Sequence, residues 1–206
     1  RVAPLTAKAR SLPALMCAVA ELRVPLVPQG GNTSMVGGAT PPEDGSALIL
    51  SLRRMNRIRM IDAEAGIAIV DAGVVLSDLH DAALAQGMRF PLSLGAKGSA
   101  TIGGLVSTNA GGTQVLRFGT MRKLVLGVEA VLPDGMLFDG LAALKKDTRG
   151  YDPNQLLIGA EGTLGIVTGA SLPQPLGIVM ISAEAAQASR ADNRAALTAS
   201  LAEHPK

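Results

Sequence analysis

Tryptophan is absent from this sequence, aromatic residues make up 2% of it, and Cys17 is its single cysteine. Without aromatic platforms for stacked bases, and with 19 basic residues set against 17 acidic ones, it offers no footing for nucleic acid. One cysteine forms no intramolecular disulfide and no metal-binding cysteine cluster, so a reducing compartment is the default and a cytoplasmic location the expectation. The first residues lack the basic start, apolar centre and small-residue cleavage site of a secretory signal. No run approaches the roughly 18 apolar residues of a membrane-spanning helix, since even "LVLGVEAVL" (124–132) carries Glu129 at its centre. No transmembrane segment is expected.

What the chain has in excess is glycine, 24 residues in 206, gathered in clusters and not at a fixed period. Between the clusters the apolar spacing predicts ordinary elements. Leu12, Leu15, Met16, Val19 and Leu22 recur at helical intervals behind Ser11 and Pro13, and "VPLVP" (24–28) and "ALILSL" (47–52) read as strands. Two strands joined at Glu64 to Gly66 are predicted over 58–73, and a helix capped by Ser77 and stopped by Gly87 over 76–87. Pro133-Asp134-Gly135 turns a hairpin over 125–138, and 155–172 gives a short helix and a last strand from Gly165.

Glycine lets backbone approach a ligand closely and lets successive N–H groups converge on an anion. Taken alone, "GGNTSMVGG" (30–38) permits either a phosphate or a mere turn. It is not the dinucleotide fingerprint or the P-loop, because the spacing of both is missing and no helix opens at the loop. Three glycine clusters in one chain favour a large cofactor with a diphosphate and two ring systems.

"PQGGNTSMVGGATP" (28–41), "PLSLGAKGSATIGGLVSTNAGG" (91–112), "LRFGTMRKLVLGVEAVLPDG" (116–135) and "KDTRGYDPNQLLIGAEGTLGIVT" (146–168) resemble the FAD-binding domain of the vanillyl-alcohol oxidase (PCMH-type) superfamily. Within it they are most similar to D-2-hydroxyacid dehydrogenases acting on D-lactate, D-2-hydroxyglutarate or glycolate. The resemblance implies an α+β domain over 1–172: a small α/β subdomain to about residue 87, then a larger antiparallel-sheet subdomain with helices over 88–172. Residues 173–206 are expected to be a divergent tail or the start of a missing substrate domain.

By motif position the resemblance assigns Pro28, Gly30, Gly31, Asn32, Thr33 and Gly37 to a pyrophosphate loop. Pro91, Gly95, Ser99, Ile102, Gly103, Asn109 and Gly112 would line the diphosphate and flavin side, and Glu161, Gly165, Ile166 and Val167 the adenosine or ribityl portion. Some relatives attach the flavin through a histidine where this chain has Asn32, so FAD is expected to be bound non-covalently. Glu161, a carboxylate between glycines, is poorly placed for packing and well placed to accept from an amide or ribose hydroxyl. Lys97 reads first as an exposed loop lysine and second as a phosphate contact, while Arg117 reads equally as a support of the second loop or flavin and as one half of a salt bridge to an acidic neighbour. His80 reads as a surface or capping residue, Cys17 as a buried thiol, and Tyr151 as a packed residue with its hydroxyl satisfied.

The implied reaction is FAD-dependent oxidation of a D-2-hydroxy acid to the 2-oxo acid, with the electrons passed to a further acceptor. In the family the base and metal come mainly from a following substrate domain, so no catalytic residue and no metal site are assigned here. This reading includes the cofactor half of such an enzyme, with a partner subunit or a missing C-terminal domain supplying the substrate site; the alternative is a flavin-binding or electron-transfer module with no substrate turnover of its own.

Overall fold

Residues 5–6, 11–142, 144 and 146–174 are described by a computed structural model. Strand β1 (Leu5–Thr6) precedes helix α1 (Leu12–Glu21), which has Pro13 in its first turn, where a missing N–H costs nothing. Strands β2 (Leu26–Gln29) and β3 (Leu48–Ser51) follow, and the three strands pair in parallel in the order β1-β3-β2. A parallel pair needs a crossover, and the long glycine-bearing segment from Gly30 to Ala47 supplies it between β2 and β3.

The second sheet is antiparallel, ordered β4-β5-β8-β6-β7. Its strands are β4 (Ile58–Asp62), β5 (Ile67–Asp71), β6 (Gly127–Val131), β7 (Leu137–Asp139) and β8 (Ile166–Pro173). Helices α2 (Leu76–Leu84), α3 (Ile102–Ser107), α4 (Val115–Phe118) and α5 (Asn154–Leu157) lie between them in the chain. Val70, Leu76, Leu79, Ile102, Val106, Val128 and Leu172 are at most 1% exposed and share one core. A second apolar cluster joins α1 and the small sheet to the large one, with Leu12, Leu50, Leu52 and Met55 against Val131 and Ile166.

The expected α+β architecture is therefore what the chain adopts, but the expected subdomain border near residue 87 does not match the pairing. β5 lies along β8 with Ile67 opposite Pro173, so residues 58–71 and the helix after them belong with the antiparallel sheet. The chain divides into a unit of residues 1–176 and one of 177–206, and the expected tail lies outside the described residues after Gln174. No helix among the described residues is long and apolar enough to cross a membrane.

Central strand β8 carries the polar device that ties this sheet. A bulge between Ile58 and Met60 turns Arg59 across Gly169, whose absent Cβ would lie 3.0 Å from Nη2. Arg59 donates to Asp71 Oδ1 and to both oxygens of Glu129, at 2.9 and 2.7 Å, and Thr168 Oγ1 donates to Glu129 at 2.7 Å. The guanidinium holds the Glu129 carboxyl below its ordinary value, and the carboxylates push Arg59 up.

Four side chains differ from expectation. Cys17 is exposed, its thiol facing the Asp134 carbonyl at 3.6 Å, because the outer face of α1 and not its core stripe carries it. Tyr151 is fully exposed. His80 is half-buried, donating Nε2–H to the Leu92 carbonyl at 2.9 Å, and burial lowers its pKa. Ser77 does not cap α2, which begins earlier, behind Val75.

Candidate cofactor site

A cavity of about 460 Å³ opens where the two sheets meet, within the roughly 300–1,000 Å³ usual for small-molecule sites. Its walls come from the loop after β2, from Leu52, from the 94–110 segment including α3, from the turn at Glu161 and Gly162, and from the start of β8. Thus all three glycine clusters meet there.

Of the sequence-predicted residues, Pro28, Gly30, Gly31, Asn32, Thr33, Gly103, Glu161, Ile166 and Val167 line the cavity. Gly37, Pro91, Gly95, Ser99, Ile102, Asn109, Gly112 and Gly165 do not. Ile102 is a core residue at 0% exposure, and Pro91 and Gly165 are buried. A Cβ added to Gly37 or Gly95 would find nothing within 4 Å, and Gly112 turns against the Ser93 carbonyl. Asn109 spends its carboxamide oxygen on the Arg122 N–H at 2.9 Å. Lys97 and Arg117 also lie off the cavity, Arg117 stacking 5.2 Å from the Phe118 ring centre.

The glycines divide into two kinds. A Cβ on Gly31 would lie 1.9 Å from the Ser99 carbonyl oxygen, and one on Gly103 would lie 2.5 Å from Ala72 Cβ. These two lack side chains because neighbouring protein occupies the space. Gly38 and Gly104, which sequence reasoning passed over, face the cavity with only Glu161 Oε2 at 3.8 Å and Thr101 Oγ1 at 3.3 Å near a Cβ.

Polar groups lie along the same walls. The N–H groups of Gly31, Asn32, Thr33 and Ser34 find no backbone acceptor among the described residues. Thr101 is 3% exposed, lines the cavity, and leaves its buried Oγ1 without a partner there. A buried hydroxyl without a partner costs stability unless a ligand satisfies it, and no sequence pattern distinguished this threonine from its loop. Ser107 and Thr108 add hydroxyls, while Leu52, Leu94, Leu105, Ile166 and Val167 give an apolar floor. Among the described residues Glu161 is the one ionisable side chain on the wall, and no lysine, arginine or histidine joins it. An anion here is met by backbone amides and hydroxyls, not by a counter-charge.

Loop amides without backbone acceptors, an orphaned hydroxyl, an apolar floor and a single carboxylate on one cavity fit a dinucleotide that carries flat rings at its ends. The FAD binding domain family matches residues 5–140, and this chain belongs to that family; FAD is its cofactor. The chain is 45% identical over 167 residues to the D-2-hydroxyglutarate–pyruvate transhydrogenase of Saccharomyces cerevisiae, covering 79% of this chain and 33% of the relative. It is 50% identical over 148 residues to the mitochondrial D-2-hydroxyglutarate dehydrogenase of Bos taurus, covering 72% and 27%. A putative mitochondrial D-lactate dehydrogenase of Schizosaccharomyces pombe is 45% identical over 153 residues, covering 74% and 29%. The chain thus spans about a third or less of the relatives it matches. A solved alkyldihydroxyacetonephosphate synthase shares the fold at a TM-score of 0.73 and 22% identity, over 84% of this chain and 31% of that one.

The relatives overturn the cytoplasmic expectation. Those of Schizosaccharomyces pombe, Bos taurus and Arabidopsis thaliana are named as mitochondrial. A lone cysteine reports the redox state of a compartment, not which compartment it is.

Proposed function

We propose that this chain is the FAD-binding part of a mitochondrial flavin-dependent oxidoreductase that oxidises a D-2-hydroxy acid to the 2-oxo acid and hands the electrons to a separate acceptor. The observation that carries the reading is the 45–50% identity, over 72–79% of this chain, to enzymes named for D-2-hydroxyglutarate and D-lactate. The loop amides from Gly31 to Ser34 and the Thr101 hydroxyl hold the diphosphate, and Glu161 accepts from a ribose or ribityl hydroxyl. Leu52, Leu105, Ile166 and Val167 exclude water from a ring. Asn32, whose amide forms no bond to a flavin, leaves the cofactor non-covalent.

Bound FAD supplies the acceptor for the hydride that leaves the substrate's carbinol carbon. Among the described residues the walls are assigned no base for the hydroxyl proton and no cation for the carboxylate. Anaerobic mixing of the FAD-loaded protein, together with whatever domain or subunit completes its substrate site, with D-2-hydroxyglutarate and D-lactate tests the reading. Bleaching of the flavin band by either acid supports it. Flavin that bleaches with dithionite but with neither acid favours a flavin-binding or electron-transfer module without substrate turnover of its own.

A further inference from the structure

Glu161 holds φ +52°, a left-handed backbone uncommon for a residue with a Cβ. Something must fix the segment before it. Its N–H donates to the Ser107 carbonyl at 2.9 Å and that of Gly159 to the Val106 carbonyl at 3.1 Å, both at the end of α3. The other side of the segment is gripped by one side chain, Arg122. Its Nη1 donates to the Gln155 carbonyl at 2.7 Å and to Gln155 Oε1 at 3.0 Å, and its Nη2 donates to the Ile158 carbonyl.

Arg122 is part-buried and makes no ion pair among the described residues. Its charge faces the carbonyls at the C-terminal end of α5, where a cation is favoured. Gln155 Nε2 passes on to Asp152 Oδ2 at 3.0 Å, and the Arg122 N–H is itself anchored on Asn109 at 2.9 Å. A Cβ on Gly159 would lie 3.1 Å from Nη2, so the guanidinium lies flush on the backbone. A planar fork with donors on two nitrogens makes this grip, and a lysine ammonium does not reproduce it.

Resting on the reading of the cavity as the FAD site, we propose that Arg122 is a positioning residue: it clamps residues 155–158 so that the turn after them presents Glu161 to the cofactor, and it acts on FAD affinity through Glu161. The test compares the unmutated chain, Arg122→Ala, Arg122→Lys, Glu161→Gln and the double variant Arg122→Ala/Glu161→Gln. FAD affinity is measured by fluorescence titration, and amide hydrogen exchange is measured on the FAD-free proteins.

Arg122→Ala is expected to weaken FAD at least tenfold and to speed exchange at Gly159 and Glu161 while β6 and β8 stay protected. Arg122→Lys restores neither property, and the double variant binds FAD about as weakly as Glu161→Gln alone. Unchanged affinity, unchanged exchange at Gly159 and Glu161, loss of protection throughout the sheet, or two single losses that multiply in the double variant would each overturn the proposal. Failure of the unmutated chain to bind FAD overturns the cavity reading with it, and intact exchange differences then mark the failure as the cavity's and not the clamp's.

Discussion

Replacing Arg59 with methionine leaves the Asp71 and Glu129 carboxylates beside Gly169 without the guanidinium that joins them. Breaking a fully buried pair costs about 3–5 kcal/mol, since the surviving charge stays desolvated. The side chains of Arg59, Asp71 and Glu129 retain 27%, 12% and 14% of their exposure, so water screens part of this. A loss of about 2–3 kcal/mol is expected, which at about 2–4 °C per kcal/mol for a chain of this size lowers the melting temperature by roughly 4–12 °C. The pH dependence is diagnostic. Glu129 has its folded pKa depressed, chiefly by the hydrogen bonds from Arg59, so its contribution is present above the unfolded pKa and is lost as pH falls through the folded one. The variant has no such contribution to lose. The gap in melting temperature, followed by circular dichroism from neutral pH down to about pH 2, therefore holds above the ordinary Glu range and narrows below it. A gap below about 1 °C at neutral pH, or one that stays constant to about pH 2, refutes the reasoning.

Thr101→Val should leave the FAD-free protein as stable or slightly more so, because Oγ1 has no partner there, yet weaken FAD about tenfold; paired thermal melts and titrations check the opposite signs. Gly31→Val and Gly103→Val should fail to fold or melt far below the parent, since each Cβ would enter the Ser99 carbonyl or the Ala72 methyl; near-native melting with lost FAD binding would contradict that packing role. His80→Gln keeps a donor for the Leu92 carbonyl and removes the titration. Burial lowers the folded pKa of His80, so the parent loses stability as pH falls through that range, and the variant should lose less in melts between about pH 7 and pH 5.

Periodic and punctuated segments were legible in the sequence. α1 follows from its leucine spacing, the β4–β5 and β6–β7 turns from Gly66 and Gly135, and β8 from its apolar run. Helix α3 was not, because Ile102-Gly103-Gly104 opens it with two residues of low helix propensity; packing of Gly103 on Ala72 decides the matter. The place of β5 in the antiparallel sheet was not legible, because its partner is the distant β8, which local pattern does not show. At the site, motif order located the three loops but could not separate glycines that face the cavity from glycines that face other protein. Thr101 and Arg122 drew no notice because their roles rest on what lies opposite them: Gly30 beside the hydroxyl, and the carbonyls of Gln155 and Ile158 beside the guanidinium.

The central claim, that the cavity between the sheets is the FAD site, is tested most directly by titrating FAD into the unmutated chain and into Gly104→Ala. Position 104 lies within α3, where alanine is favoured over glycine by up to about 1 kcal/mol, and its added methyl points into the cavity beside Thr101. One FAD per unmutated chain is expected, with weaker binding by a Gly104→Ala protein that melts at or above the parent temperature. Equal affinity in the two proteins, or no flavin uptake by the unmutated chain, would contradict it.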